Sequence, residues 1–237
     1  MDDRAEARRS VDFPLRGEGW MAVTSPGDRV PSHGTDMLGQ RYAYDLLRVD
    51  DRRRIRVHPA SGLRTLLLGV PTRECYAWGA PIHSPFDGEV VAAVDGVAEP
   101  GWIHPVRELC RVLWNAWTFR PERLGRILGN HVVLRSGDLY AGLVHLAPGT
   151  VAVSAGETVR SGDVLGRIGH TGNSTSPHLH FQLMDGPDPL TAQGVPCAFR
   201  ECEVLTDGAW SRVEDGVPRR GERIRYDPPA AGEGVEG

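Results

Sequence analysis

The chain has 237 residues, a formal net charge of −4 and a hydrophobic content of 40%. This length is enough for one domain with additional segments or for two small domains, and the apolar content supports a buried core. The negative charge argues against a nucleic-acid-binding protein, which needs a basic surface, and no apolar run is long enough to span a membrane.

Residues 1–20 are predicted to form an N-terminal arm. Charged residues dominate positions 1–10, and Asp12, Arg16 and Glu18 interrupt the segment that follows. A secretory signal peptide needs an uninterrupted apolar stretch at this point. We therefore expect no export signal and, as the sequence reads, a cytoplasmic protein.

Residues 21–49 are expected to form short strands around a polar loop at 32–36, with one strand at 42–47. Residues 50–78 lack a clear hydrophobic period and are interpreted as an insertion, in which residues 52–54 form a solvated arginine cluster. A strand–turn–strand unit is predicted over residues 82–94.

A second insertion is predicted at about 98–128, and it carries a helical segment around 105–128. Pro105 suits the first turn of a helix, and Pro121 breaks the pattern. Apolar residues recur at helical spacing, namely Val106, Leu109, Cys110, Leu113 and Trp117. The tryptophans Trp102, Trp114 and Trp117 are interpreted as core or packing surface rather than as a ligand-binding site.

From Asn130 onward, short apolar runs alternate with glycines at tight corners. With 29 glycines and 18 prolines in the chain, this pattern favours many short strands joined by turns. We predict a mainly β protein, a compact antiparallel β-sandwich or barrel, with the principal domain over 21–205. Residues 206–237 are interpreted as a C-terminal extension that is disordered from about 226.

The segment Pro177–Phe181 indicates a metal site. Leu179, Phe181 and Leu183 alternate with His178, His180 and Gln182, so one face of the strand is apolar and the other is polar. The two histidines then point the same way, roughly 6–7 Å apart by the rise of a strand. This spacing suits one histidine that binds a metal and one that reaches a water molecule on that metal.

Four segments occur in a characteristic order along the chain. They are Gly129–Val133, Val144–Leu146, Val159–Gly166 and Gly169–Phe181. Together they resemble the core of the lysostaphin-type zinc endopeptidases, which cut the peptide part of bacterial peptidoglycan. The resemblance implies their β fold and a zinc-dependent hydrolysis of peptidoglycan crosslinks or stem peptides by a metal-activated water. Peptidoglycan peptide is then the expected substrate.

The resemblance also implies the roles of individual residues. His33, Asp45 and His180 correspond to the ligands of one Zn²⁺ per chain, and His145 and His178 correspond to the two catalytic histidines. Three protein ligands leave an open position for water. The two histidines suit a proton acceptor and a stabiliser of the oxyanion, without a preference for which does which.

The aspartate ligand requires a choice between two candidates. The compact pattern of the family has its aspartate four residues after the first histidine, where this chain has Met37. Asp36 is one residue short, whereas Asp45 lies in an apolar strand that resembles a longer-spaced branch of the family. A strand holds a ligand more rigidly than a loop, so we favour Asp45 and interpret Asp36 as a turn residue.

Other histidines and the cysteines receive ordinary interpretations. Loop or surface positions are expected for His58, His83, His104 and His170. His131 either supports the site or packs beside it. The four cysteines contain no CxxC pair, so we expect free buried thiols, although a Cys197–Cys202 bridge stays open.

Two other function classes remain open. One is a non-catalytic cell-wall-binding or regulatory protein on the same fold, and the other is a phosphohistidine carrier that uses paired histidines. Because no export signal is expected, a peptidase acting on a non-wall peptide inside the cell is a further alternative. The bond that is cut and the oligomeric state are left open by the sequence.

Overall fold

The computed structural model describes residues 8–50 and 55–228. Three α-helices lie in these ranges, α1 (Gly62–Leu68), α2 (Pro105–Trp117) and α3 (Leu124–Leu128). The strands of the described residues are β1 (Arg9–Val11), β2 (Gly17–Thr24), β3 (Tyr44–Arg48), β4 (Val70–Pro71), β5 (Pro81–His83), β6 (Gly88–Val94), β7 (Trp102–Ile103), β8 (Asn130–Ser136), β9 (Leu139–Leu146), β10 (Thr158–Val159), β11 (Val164–Arg167), β12 (Leu179–Met184), β13 (Gly194–Val195), β14 (Cys197–Thr206), β15 (Ala209–Gly216) and β16 (Arg223–Tyr226).

One large sheet organises the molecule. Its strands follow the order β1-β14-β16-β2-β3-β12-β9-β8-β6-β10, with β13 beside β12 and β15 beside β14. Apart from the parallel pair β1–β14, the neighbours in this sheet are antiparallel. The mainly β, antiparallel fold predicted from the glycine-punctuated strands is therefore confirmed.

The core lies between this sheet and the short pair β5–β11. Phe181 and Leu143 of the sheet pack in the same buried cluster as Ile82 of β5 and Leu165 of β11. Burying these side chains removes apolar surface from water, the main favourable term in folding. One face of the sheet thus packs against a second layer, and the other face can carry polar side chains.

Both ends of the described chain differ from the prediction. The expected arm contains β1 and part of β2, and its apolar side chains Val11, Phe13 and Trp20 are fully buried. Burial of these apolar residues explains why the segment joins the sheet despite its charged neighbours. The expected C-terminal extension contains β15 and β16, and β16 lies between β14 and β2.

Some predictions lie outside the described residues. Tyr226 is the last residue of β16, so the disorder expected from about 226 is wrong at that residue. Residues 229–237, residues 1–7 and the arginine cluster at 52–54 are not among those the structure describes.

The two predicted insertions contain the helices. Residues 50–78 hold α1, which the sequence analysis missed because the run Leu66–Leu68 hides any helical period. Ser61 caps this helix by accepting a hydrogen bond from the Arg64 amide. The predicted helical segment around 105–128 is confirmed as α2 and α3, separated by a single 3₁₀ turn at Pro121–Arg123.

In the described part of the chain, no helix combines the length and apolar character that crossing a bilayer requires. The four cysteines, all within the described residues, are free; Cys110 is exposed, contrary to the expected burial, whereas the other three are buried.

Candidate metal centre and catalytic cleft

Three adjacent strands bring the predicted polar residues together. In the register of the sheet, His180 of β12 lies opposite Asp45 of β3 on one side and opposite Val144 of β9 on the other. Leu179 and Phe181 point to the core, so the alternation of the strand turns His178 and His180 to the opposite face. His145 directly follows Val144 at the same edge.

Asp45 is the centre of the cluster. Its Oδ2 atom lies 3.0 Å from His33 Nε2, and its Oδ1 atom lies 2.9 Å from His180 Nδ1. The potential ligand atoms of these three residues all lie within 4.8 Å of one another. Zinc bonds of about 2.0–2.1 Å at tetrahedral angles would separate ligand atoms by about 3.3 Å, so small displacements convert these hydrogen bonds into a coordination shell.

The remaining ring nitrogens of the two histidines have partners of their own. His180 Nε2 lies 2.8 Å from the Gln182 side-chain oxygen, and the Gln182 amide nitrogen donates to the Leu38 carbonyl at 2.8 Å. His33 Nδ1 lies 3.0 Å from the Ser32 hydroxyl. Metal-binding histidines characteristically use their second nitrogen in this way, which fixes the ring orientation. The donor set therefore fits a divalent metal of the zinc type.

Asp36 lies apart from this cluster. Its carboxylate is largely exposed and pairs with the Arg41 guanidinium. The structure thus brings Asp45 next to His33 and His180, and it leaves Asp36 at the loop surface.

His145 occupies an irregular position in β9. The pairing of β8 with β9 shifts so that His145 is the extra residue between Val144 and Leu146, and its φ is +71°. A non-glycine residue in this left-handed region is strained, and such strain concentrates at functional sites. His145 Nδ1 donates to the Thr171 carbonyl at 2.9 Å, which leaves Nε2 as the other hydrogen-bonding atom of the ring.

His178 is oriented by the loop that precedes β12. Its Nδ1 atom donates to the Ser176 carbonyl at 2.7 Å and lies 3.1 Å from the Ser174 hydroxyl. Its Nε2 atom lies 3.4 Å from Asp45 Oδ1. The ring centroids of His178 and His145 are 4.9 Å apart, so both histidines border the same space beside the cluster of His33, Asp45 and His180.

Burial and the neighbouring charged groups act in opposite directions on the pKa values of Asp45 and His178. Burial would raise the pKa of Asp45, but the charge of His178 and hydrogen bonds from His178, His180 and His33 hold that pKa well below its usual range. Burial and repulsion from His178 and His180 hold the pKa of His145 well below its usual value. Burial would lower the pKa of His178, but Asp45 outweighs burial and raises it. The two flanking histidines therefore differ in proton affinity.

For three histidines outside the cluster, the position in the structure differs from the expectation or adds to it. His83 is buried in β5 and bonds to the Gly162 carbonyl, and His170 is fully buried in its loop, so neither is a surface residue. Their burial follows from close contact with neighbouring loops. His131 bonds to the Gly129 carbonyl, and it does not line the cleft. His58 and His104 lie in loops, as expected, and both are half-buried.

The cluster forms the floor of a cleft of about 470 Å³. The helical insertion supplies part of its apolar wall through Val112, Phe119, Ile127 and Leu128. The loop before β3 supplies the opposite side, with Thr35 and Leu38 among its residues. The insertion therefore shapes the space in front of the histidines.

Several supporting residues escaped the sequence analysis. Gln182 lies on the same strand face as the two histidines, so the alternation of β12 gave a signal that was not used. The roles of Ser32, Thr171 and Ser176 depend on hydrogen bonds between loops or between neighbours, for which the sequence holds no pattern.

Comparison with known proteins matches part of this chain to a known family. Residues 117–192 match the sequence model of Peptidase family M23. This region resembles the M23 peptidases in sequence. It contains His145, His178 and His180, whereas His33 and Asp45 precede it, and the predicted resemblance to lysostaphin-type peptidases is confirmed.

Individual relatives cover different shares of the chain. The protein named peptidoglycan DD-endopeptidase ShyA, from Vibrio cholerae, is 37% identical to this chain over 65 residues, which make up 27% of this chain and 15% of that protein. This chain thus matches only a small fraction of the length of that relative.

Two solved structures are also similar. The catalytic domain of lysostaphin from Staphylococcus simulans is 23% identical, with 54% of this chain and 80% of that chain covered and a TM-score of 0.32. A zinc-containing peptidase from Vibrio cholerae is 18% identical, with 64% and 48% covered and a TM-score of 0.31.

Proposed function

We propose that this chain is a zinc-dependent endopeptidase that hydrolyses peptide bonds in peptidoglycan crosslinks or stem peptides. The observation that carries the proposal is the cluster of His33, Asp45 and His180 with two further histidines beside it in one cleft. The M23 sequence of residues 117–192 supports a peptidase activity.

His33, Asp45 and His180 would hold the metal. Two neutral imidazoles and a carboxylate form a typical donor set for a catalytic zinc, and they leave a position open. When bound, Zn²⁺ lowers the pKa of a water molecule and polarises a carbonyl oxygen. Gln182 and Ser32 would keep the two ligand rings in place through the hydrogen bonds described above.

His145 and His178 would handle the proton and the developing charge. The low pKa of His145 keeps its ring neutral near pH 7, so its Nε2 atom suits a proton acceptor. His178 Nδ1 is held by the Ser176 carbonyl, so its Nε2 atom, when protonated, suits a hydrogen bond to the carbonyl oxygen as that oxygen gains charge. We expect the loss of either group to lower the rate by about 10²–10⁴-fold.

The substrate class rests on the relative from Vibrio cholerae, whose name is peptidoglycan DD-endopeptidase. That protein is 37% identical to this chain over 65 residues, and this similarity supports the same class of substrate here. The helical insertion supplies part of the apolar wall of the cleft. This part of the wall would influence which peptide is accepted.

Digestion of purified peptidoglycan sacculi tests the proposal, with released fragments identified by mass spectrometry. Wild-type protein is compared with and without chelator, after zinc is restored, and beside His180→Ala. The matched control is Asp36→Asn, which alters the exposed carboxylate and leaves the cluster intact. We expect new amine termini from zinc-loaded wild type and Asp36→Asn only.

Two other outcomes contradict the proposal. If fragments appear equally with chelator present, the reaction does not depend on the metal. If zinc binds but no sacculi from Gram-negative or Gram-positive walls are cut, a peptide outside the wall or a binding role replaces the proposed substrate.

A further inference from the structure

Helix α2 packs with its polar side against the loop of residues 169–178, which precedes β12 and is called the site loop below. Arg111 of this helix donates to two carbonyls of the site loop. Asn115, one turn further along, donates to the Asn173 side chain at 3.0 Å. Charged and polar groups therefore attach the helical insertion to the loop that carries the site.

Much of the remaining surface of α2 is apolar and faces solvent. Leu113, Trp114 and Trp117 are each 60–80% exposed. Of the two interpretations of the tryptophans, core and packing surface, a place in the core is wrong for Trp114 and Trp117. The reason is that the polar side of the helix takes the inner position.

Glu108 is a buried charge on this inner side. Its side chain is 2% exposed, and its carboxylate accepts hydrogen bonds from Arg107 at 3.1 Å and from Arg111 at 2.9 Å. Its Oε2 atom also lies 3.5 Å from Nε2 of His170, a fully buried residue of the site loop. Among the described residues, that nitrogen has no nearer partner for a hydrogen bond.

The other nitrogen of the His170 ring continues this contact toward His178. His170 Nδ1 lies 3.0 Å from the Ser174 hydroxyl oxygen, and that oxygen lies 3.1 Å from His178 Nδ1. The Ser176 carbonyl lies 2.7 Å from both the Ser174 hydroxyl and His178 Nδ1. A buried path of polar atoms thus runs from Glu108 to His178.

The protons on this path limit how it can be arranged. Burial lowers the pKa of His170 to about 4, so the ring carries one proton near pH 7. If the Ser174 hydroxyl donates to the Ser176 carbonyl, this one proton must serve two acceptors, the Ser174 oxygen and the Glu108 carboxylate. One nitrogen of the ring then faces an acceptor without a proton between them, which is unfavourable inside a protein.

The alternative gives every donor an acceptor. His170 Nε2 donates to the Glu108 carboxylate, and Nδ1 accepts the proton of the Ser174 hydroxyl. His178 Nδ1 donates to the Ser176 carbonyl and has the Ser174 oxygen as a second acceptor. Because buried polar groups are stable only when they are paired, this arrangement is favoured. The carboxylate on α2 then decides which nitrogen of His170 is protonated.

We propose that Glu108, His170 and Ser174 are positioning residues for His178. They hold its ring from the Nδ1 side, while its Nε2 atom lies beside Asp45 in the cleft. A catalytic base is characteristically oriented by a third group in this way. The helical insertion thus contributes to the reaction as well as to the wall of the cleft. This inference rests on the proposed function of His178.

The position of the proton on the His170 ring tests the arrangement without any reaction. NMR of the zinc-loaded chain with ¹⁵N-labelled histidine shows which ring nitrogen is protonated. We expect the proton on Nε2 in wild type. Glu108→Ala should move it to Nδ1, which can then donate to Ser174. The matched control is Glu122→Ala, which removes an exposed glutamate of the same insertion and should leave the proton on Nε2.

Kinetics on soluble crosslinked peptidoglycan fragments test the effect on His178. Ser174→Ala and His170→Leu should each lower kcat by about tenfold or more, with KM within about twofold of wild type. His170→Asn should recover kcat to within about threefold of wild type, because its side-chain oxygen can accept the Ser174 proton in place of Nδ1.

The matched control for these kinetics is Ser84→Ala. Ser84 is also buried and donates to a carbonyl, that of Phe86, but it does not line the cleft. This variant should keep the wild-type kcat. Circular dichroism, thermal unfolding and zinc content establish that each variant is folded and loaded. Loss of signals in His170→Asn assigns the His170 ring in the NMR spectra.

Three results would overturn the proposal. The first is a His170 ring protonated at Nδ1 in wild type, and the second is an unchanged proton position in Glu108→Ala. The third is a wild-type kcat in both Ser174→Ala and His170→Leu. A wild type that cuts no fragment overturns the proposed function instead, and the NMR result then still decides whether the chain of hydrogen bonds exists.

Discussion

Asp45 and His180 face each other across two neighbouring strands, and the Asp45 Oδ1 atom lies 2.9 Å from His180 Nδ1. Antiparallel pairing of β3 with β12 sets this contact, although 135 residues separate the two in sequence. His33 approaches the other carboxylate oxygen from a loop. One carboxylate thus joins the loop and the two strands into a single donor set.

The first prediction concerns which aspartate binds the metal. Asp45→Asn should weaken Zn²⁺ binding by about 100-fold or more, because it removes a charged oxygen from the donor set. Isothermal titration with Zn²⁺ on metal-free protein measures the change. Asp36→Asn should bind within about twofold of wild type, and a larger loss in Asp36→Asn than in Asp45→Asn would reverse the assignment.

The second prediction uses the backbone of His145, whose φ is +71°. Side chains cost roughly 1–2 kcal/mol in this conformation, whereas glycine adopts it freely. His145→Gly should therefore be about 0.5–1 kcal/mol more stable to unfolding than His145→Ala. Urea denaturation of both variants measures the difference.

The pair of variants carries its own control, because both lose the hydrogen bond to the Thr171 carbonyl. An alanine variant as stable as the glycine variant would show that the left-handed conformation is absent in solution.

The third prediction is a pH dependence that arises at His170. Burial lowers the pKa of this fully buried histidine to about 4, partly opposed by Glu108, whereas the unfolded chain has a value near 6.5. The unfolded state therefore binds the proton first as the pH falls. The contribution of His170 to the free energy of unfolding is fully present above pH 6.5. About 3 kcal/mol of this contribution is lost as the pH falls from 6.5 to 4.

We expect metal-free His170→Gln to lose about 3 kcal/mol less than wild type between pH 7.5 and pH 4, measured by urea unfolding at each pH. Identical slopes for wild type and His170→Gln would contradict the prediction.

The fourth prediction concerns the buried carboxylate under α2. Glu108→Ala leaves the partly exposed Arg111 without its charge partner, so we expect a loss of about 2–3 kcal/mol in the free energy of unfolding. Chemical denaturation measures this loss. Glu122→Ala, an exposed glutamate in the same insertion, should change stability by no more than about 0.5 kcal/mol.

Hydrogen exchange adds a local readout for Glu108→Ala. Faster exchange over residues 105–117 would indicate that the helix has lost its attachment to the site loop. If Glu108→Ala and Glu122→Ala are equally stable, the polar contacts of α2 do not hold it in place.

Short-range patterns predicted much of this molecule. The alternation over Leu179–Leu183 placed the apolar side chains in the core and the histidines on the other face, because a strand turns successive side chains to opposite sides. The spacing of α2 and the break at Pro121 were read correctly from helix geometry and proline chemistry. The choice of Asp45 over Asp36 came from the resemblance to a known family and the rigidity of a strand.

Such short-range patterns did not predict which other segment a helix or strand packs against. The helical period of Val106, Leu109 and Leu113 gives an apolar side, but it does not say whether that side faces the core. Arg111 decided that question, because it pairs with the buried Glu108 and donates to carbonyls more than 60 residues away in the loop before β12.

What the sequence by itself determined is therefore local: the strands, the helix, and the residue types able to hold a metal. Tertiary structure alone decided which strands are neighbours, and hence that Asp45 meets His180 and that β1 and β16 belong to the sheet. The physical reason is that strand pairing and the satisfaction of buried polar groups depend on contacts between segments distant in sequence.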